Sequence, residues 1–217
     1  MKKAVLGLAV LFTGSVGHMF AQSGPPKVAI DITDAEIKEV LTHAPPAVDQ
    51  QLKVVDIGKY NLAVGVIYRG KTQAPPAGGG GRGPNPNRVK CGPDTAPAGA
   101  KLSPPGLISH DAELETYQII SGAGTLVTGG TIFNGSRSAP DSEVTKVLNG
   151  PSCSGQAFGD FVSREVHVGD VIIIPPGVAH GWTGIADHVT YLSVRPDPDH
   201  VLPAGYVNPA IQKMEKK

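Results

Sequence analysis

The chain has 217 residues, with 19 basic and 19 acidic side chains balancing to a formal net charge of zero. That length accommodates one domain with a sizeable core, and the balanced charge, without any basic block, excludes the electrostatic footprint of a nucleic-acid binder. Cys91 and Cys153 are the only cysteines, and without a CxxC spacing they argue against dithiol redox catalysis.

In chain order, Lys2 and Lys3 lead into the apolar run AVLGLAVLF, followed by smaller residues and a cleavage point after Ala21. This is the layout of a secretory signal peptide over 1–21, and the run is short of the roughly 20 residues that a spanning helix needs. A periplasmic or secreted protein is therefore expected, with no membrane attachment after cleavage. In an oxidising compartment Cys91 and Cys153 are expected to form a disulfide, the alternative being two unpaired thiols.

Residues 22–50 read as an N-terminal extension with one short helix. Thr33 and Glu36 have capping-box spacing at the head of TDAEIKEVLTHA, and Pro45 and Pro46 end it. His43 at its end suits the helix C-terminus. The folded domain is expected over 51–217. It opens with QLKVVDIG and NLAVGVIYRG around the turn residues Gly58 to Asn61, a hairpin pattern. The segment 73–106 is rich in Pro and Gly, including Gly78 to Gly81, and reads as a long surface loop or a lid over a barrel mouth. The strand signals ETYQIIS, GTLVTGGTIF, REVHV, DVIIIP and HVTYLSVR follow, which indicates an all-β sandwich or barrel. A segment from 134 to 161, carrying Cys153, reads as an insertion within that series.

Two stretches carry chemistry. GDVIIIPPGVAH, Gly169 to His180, joins a turn, a Val/Ile strand expected to be buried, a PPG turn and a histidine at the head of a new strand. It resembles the second conserved motif of the cupin superfamily. HDAELETYQIISG, His110 to Gly122, resembles the first cupin motif from its second histidine onward, with Glu115 in the place of the family's glutamate. Ile108 stands where the motif's first histidine would be, Leu102 replaces its opening glycine, and Gly184 replaces the terminal asparagine of the second motif.

The resemblance implies an all-β cupin double-stranded β-helix, a jelly-roll barrel with a short N-terminal helix, and a homodimer. It implies a divalent metal ion (Fe, Mn, Zn or Ni) held by His110, Glu115 and His180. Two histidines and one carboxylate leave several coordination positions open. Glu113 rivals Glu115 as ligand, and Asp111 could add one. Alternation from Glu115 turns Tyr117 and Ile119 to the same face, so Tyr117 is a candidate acid or orienting group and Glu113 a candidate base. Trp182, Ile108 and Ile119 are expected to line the substrate pocket, with Trp182 stacking on a flat or sugar-like molecule. Of the remaining histidines, His167 is expected to be exposed, and alternation leaves the face of His188 open. Arg69 and Arg195 end strands and suit either a substrate carboxylate or a surface salt bridge. The expected function is that of a metal-dependent enzyme acting on a small molecule, by oxygenase, isomerase or lyase chemistry. The alternative is a non-catalytic cupin that binds a sugar or similar solute.

Overall fold

The computed structural model describes residues 24–44, 48–73, 89–214 and 216; the expected signal peptide and the glycine run at 78–81 lie outside the described residues. The first element, α1 (Asp34–His43), opens with the expected capping box. Glu36 N–H donates to Thr33 Oγ1 at 3.2 Å, and Thr33 N–H donates to the Glu36 carboxylate at 2.7 Å. The helix ends at Ala44, whose backbone is extended, the conformation a residue before proline favours. The strands β1 (Asp49–Asp56) and β2 (Asn61–Gly70) form the expected antiparallel hairpin, with Asp56 opposite Asn61.

Seven further strands follow: β3 (Lys90–Cys91), β4 (Leu107–His110), β5 (Glu115–Arg137), β6 (Ser152–His167), β7 (Val171–Ile174), β8 (His180–Thr183) and β9 (His188–Asp197). A short helix, α2 (Pro209–Met214), comes after them. One face of the barrel is the antiparallel sheet β1-β2-β9-β5-β7. The other is a closed circuit, since β5 pairs with β6, β6 with β4, β4 with β8, and β8 again with β5. The long strand β5 belongs to both faces. It changes sheets at Gly122, where φ is +71° and a Cβ would lie 2.0 Å from the His188 carbonyl oxygen, so that only glycine fits. This is the double-stranded β-helix barrel that the cupin resemblance implies.

Three expectations change. The two ends of the segment 134–161 are strand, because β5 continues to Arg137 and pairs with β6 as far as Cys153. Its Gly and Ser residues read as turns, yet the ladder absorbs them as register shifts at Gly129/Thr131 and Phe133/Ser136. Only 138–151 loops out, around the π-helical segment Val144–Leu148. Within 73–106, the described part 89–106 is also anchored, by β3 against Gly135 and Ser136, by a bridge from Leu102 to Phe158, and by a Cys91–Cys153 disulfide. The strand β7 is half-buried instead of fully buried: Ile172 and Ile174 face the core, while alternation turns Val171 and Ile173 to the exposed face of the sheet.

The barrel interior packs Ile67, Tyr117, Ile119, Leu126, Val166, Ile174 and Tyr191 together, with Trp182 at its margin. A second cluster, Val40, Leu52, Val66, Ala210 and Ile211, fixes α1 and α2 outside the first sheet.

Candidate metal centre

His110 ends β4, Glu115 begins β5 and His180 begins β8. The pairing of Ile108 with His180 brings β4 and β8 side by side. The register of β5 with β9, Tyr117 opposite Ser193, carries Glu115 alongside Arg195. Glu115 Oε2 then lies 3.2 Å from His110 Nε2 and 2.9 Å from His180 Nε2. One donor atom from each of the three residues lies within 4.8 Å of the others. All three side chains are buried, with 3%, 1% and 3% of their surface exposed in chain order.

The hydrogen bonds around the imidazoles set which nitrogen is free. His180 Nδ1 is 3.0 Å from the Val178 carbonyl oxygen, which can only accept, so Nδ1 carries the proton. Ser152 Oγ donates its single proton to the Gly150 carbonyl at 2.9 Å and so accepts from His110 Nδ1 at 2.8 Å. In the neutral rings both Nε2 lone pairs point at Glu115 Oε2. Burial pushes the His110 pKa down, which opposes a proton on that nitrogen. Acceptors held this close need a positive charge between them, either a proton on an imidazole or a metal ion. An ion with bonds of about 2.1 Å at right angles spaces its donors about 3 Å apart, so the donor set fits a divalent metal.

Glu115 uses its other oxygen for support. Oε1 accepts from Ser193 Oγ at 2.9 Å, Arg195 Nε at 2.9 Å and Asn149 Nδ2 at 3.2 Å. Burial would raise the Glu115 pKa, but hydrogen bonds from the imidazoles, when they carry a proton on Nε2, and the Arg195 guanidinium hold it well below the usual carboxylate range. Arg195 in turn pairs with Asp49 at 2.6 Å and donates to the Leu148 carbonyl at 3.1 Å. The expectation that Arg195 meets a substrate carboxylate or a surface acid is corrected, since its charge is consumed inside the barrel by Glu115 and Asp49.

Tyr117 is on the same face as Glu115, as alternation requires, and its hydroxyl donates to Glu115 Oε2 at 2.9 Å. Burial and the adjacent carboxylate keep its pKa well above the ordinary phenol value. Glu113, the rival of Glu115 in the sequence, does not join the cluster. Its buried carboxylate has no hydrogen-bond partner among the described residues, faces the backbone of Gly150, and is pushed by burial to a pKa of about 7. Asp111 is exposed and pairs with Arg137, so it adds no ligand. Ile108 is half-buried in register with His180, and Ile119 lies in the core cluster. Trp182 is half-buried, and its Nε1 donates to the Tyr191 hydroxyl at 3.1 Å. His167 is exposed, as expected. His188 lies away from the centre, bonded to Ser121 Oγ at 2.8 Å and to Asp187 at 2.6 Å.

Ser152, Asn149, Ser193 and the carbonyl of Val178 were not legible as site residues. One signal was available, because Tyr191, Ser193 and Arg195 alternate onto one face of an otherwise apolar strand. A serine and an arginine turned inward beside a glutamate mark a buried polar network.

Neither a protein-family model nor a curated protein matches the chain. Solved structures similar to it include a double-stranded β-helix protein from Klebsiella pneumoniae, at 13% identity over 74% of this chain and 88% of that one, with a TM-score of 0.35. An oxalate oxidase in complex with the substrate analogue glycolate is similar at 12% identity over 72% of this chain and 54% of that one, with a TM-score of 0.32. A cupin 2 conserved barrel domain protein from Rhodopseudomonas palustris is similar at 14% identity over 78% and 83%, with a TM-score of 0.28. These likenesses concern the fold alone. The strand pairing itself makes the chain a cupin-type double-stranded β-helix barrel, with both cupin-like motifs contributing to one buried His110–Glu115–His180 cluster.

Proposed function

We propose that the protein is a metal-dependent enzyme acting on a small molecule in the periplasm, with His110, Glu115 and His180 holding a divalent ion, one of Fe, Mn, Zn or Ni. The observation that carries this reading is the tautomer pattern, in which Val178 and Ser152 fix both Nδ1 protons and leave both Nε2 atoms aimed at Glu115 Oε2. An ion held by two histidines and one carboxylate supplies Lewis-acid or redox chemistry through its open positions. Tyr117 remains protonated at neutral pH and is the group placed to orient a substrate oxygen or deliver a proton; Glu113 is the second candidate for proton movement. Elemental analysis of tag-free protein tests the centre. Metal should fall from near-stoichiometric to background in both His110→Ala and His180→Ala, and unchanged content in either variant removes the assignment.

The burial of the cluster favours a second reading, a non-catalytic barrel whose ion serves structure while the mouth binds a solute. Turnover assays of the metal-loaded protein against sugar acids, phenols and diketones separate the two, because binding without turnover supports the second. Two features support the periplasmic location: the signal-peptide pattern of 1–21 and the Cys91–Cys153 disulfide. Among the described residues no helix is long and apolar enough to cross a membrane. We also propose a homodimer through the edge strand β7, where Val171 and Ile173 present apolar side chains outward. Light scattering should give twice the chain mass for the wild type and the chain mass for Ile173→Lys; a monomeric wild type refutes it.

A further inference from the structure

We propose that Arg69 is the carboxylate anchor of a substrate cavity at the barrel mouth, and that the small molecule taken there is an organic acid with a flat, apolar body. The cavity measures about 490 Å³ and is lined by Arg69, Tyr68, Thr72, Trp182 and Ile185, a size that suits a small ligand. Arg69 Nε donates to the Tyr191 hydroxyl oxygen at 3.1 Å, and Trp182 Nε1 donates to the same oxygen at 3.1 Å. Two donors on one atom fix the guanidinium and the indole relative to each other.

Asp49 acts on Arg69 only through space, because its carboxylate is bonded to Arg195. Among the described residues no carboxylate forms an ion pair with Arg69, whereas Arg195 is paired with both Glu115 and Asp49. A half-buried cation loses hydration, and a carboxylate ligand within ion-pair reach would complement it more directly than Asp49 does through space. The terminal nitrogens of its planar fork suit two parallel bonds to a carboxylate. A lysine in this place would offer only a point charge. The Trp182 ring and the Ile185 side chain form apolar walls for the body of the acid.

The inference rests on the metal-centre reading for what the acid is brought towards. A line of rings runs from the cavity to the ligands: Trp182 to Tyr191 at 5.2 Å, Tyr191 to Tyr117 at 4.3 Å, and Tyr117 to His180 at 6.0 Å between centroids. An acid seated on Arg69 therefore lies at the Trp182 end of this line.

Trp182 is the chain's single tryptophan, so its emission reports on this cavity alone. Benzoate, titrated against the wild type, should change that emission saturably, while the neutral isostere benzamide should bind more weakly. Arg69→Gln should weaken benzoate roughly tenfold or more, the loss expected for hydrogen bonds to a charged group, and leave benzamide unchanged. Arg69→Lys should fall between them. No response to benzoate, equal affinity for benzamide, or a benzoate affinity unaltered by Arg69→Gln overturns the proposal. The wild-type comparison of the two probes needs no variant, so a misfolded Arg69→Gln does not rescue it. Metal content measured on the same samples should be unaltered by Arg69→Gln. Failure of the metal reading shows separately, as unchanged metal in His180→Ala.

Discussion

Glu115 uses its two oxygens for different purposes. Oε1 is saturated by Ser193, Arg195 and Asn149, which leaves Oε2 to the histidines and Tyr117. A buried carboxylate anchored on one side cannot rotate away from the ligand position, and this preorganisation is what partners behind metal ligands provide. Ser152 does the same for His110, because its hydroxyl receives the Nδ1 proton and fixes the tautomer. Ser152→Ala should therefore lower metal affinity by about 10- to 100-fold with little change in the melting temperature, measured by competition against a metal-binding dye. An affinity equal to the wild type would show that the ring is fixed by packing instead. The His110–Glu115–His180 cluster was legible because motif spacing places its members, and so was Tyr117, by alternation. Their supports were not, since Ser152, Asn149 and Ser193 are ordinary polar residues until folding brings them to Glu115 and His110.

At the scale of elements, α1 was legible from Thr33, Glu36 and the two prolines that follow Ala44, since a capping box is a local exchange between two side chains and two backbone N–H groups. What holds the helix against the sheet is not local. Glu36 pairs with Lys53 of β1 at 2.6 Å, and Lys53 also donates to the Asp31 carbonyl at 2.8 Å. Burial alone would raise the Glu36 pKa, but Lys53 and the Thr33 backbone N–H outweigh it and hold the carboxyl below its usual value of 4.5. An acid whose folded pKa is depressed contributes stability above its unfolded pKa and loses it as pH falls through the folded one. In urea unfolding, Glu36→Gln should be less stable than the wild type at pH 7, and the gap should close progressively below pH 4.5. A gap independent of pH would assign the loss to the capping hydrogen bond alone. The strand signals within β5 and β6 were read, but their continuation into 134–161 was not, for a related reason. Glycine and serine mark turns in isolation, and only the pairing of β5 with β6 shows them as irregularities within a ladder.

For the whole molecule, the Cys91–Cys153 disulfide, spanning 62 positions, ties the anchored end of the Pro/Gly-rich loop to the β4–β6 side of the barrel. A loop of that length corresponds to about 4 kcal/mol of stabilisation in the chain-entropy model. Replacing both cysteines by serine should lower the unfolding free energy by up to that amount in guanidinium titrations, with metal content retained; a loss of metal would mean that the bridge also shapes the centre. By itself the sequence determined the all-β class, the N-terminal helix, the first hairpin, the His110–Glu115–His180 trio and the two cysteines available to pair. Each of these is written in short-range spacing or in residue type. The tertiary structure alone decided that β5 serves both sheets, that Arg195 is consumed inside the barrel while Arg69 is left at its mouth, and that both histidines present Nε2 to one oxygen. Those outcomes depend on strand register between segments far apart in the chain, and register is fixed only when the whole barrel closes.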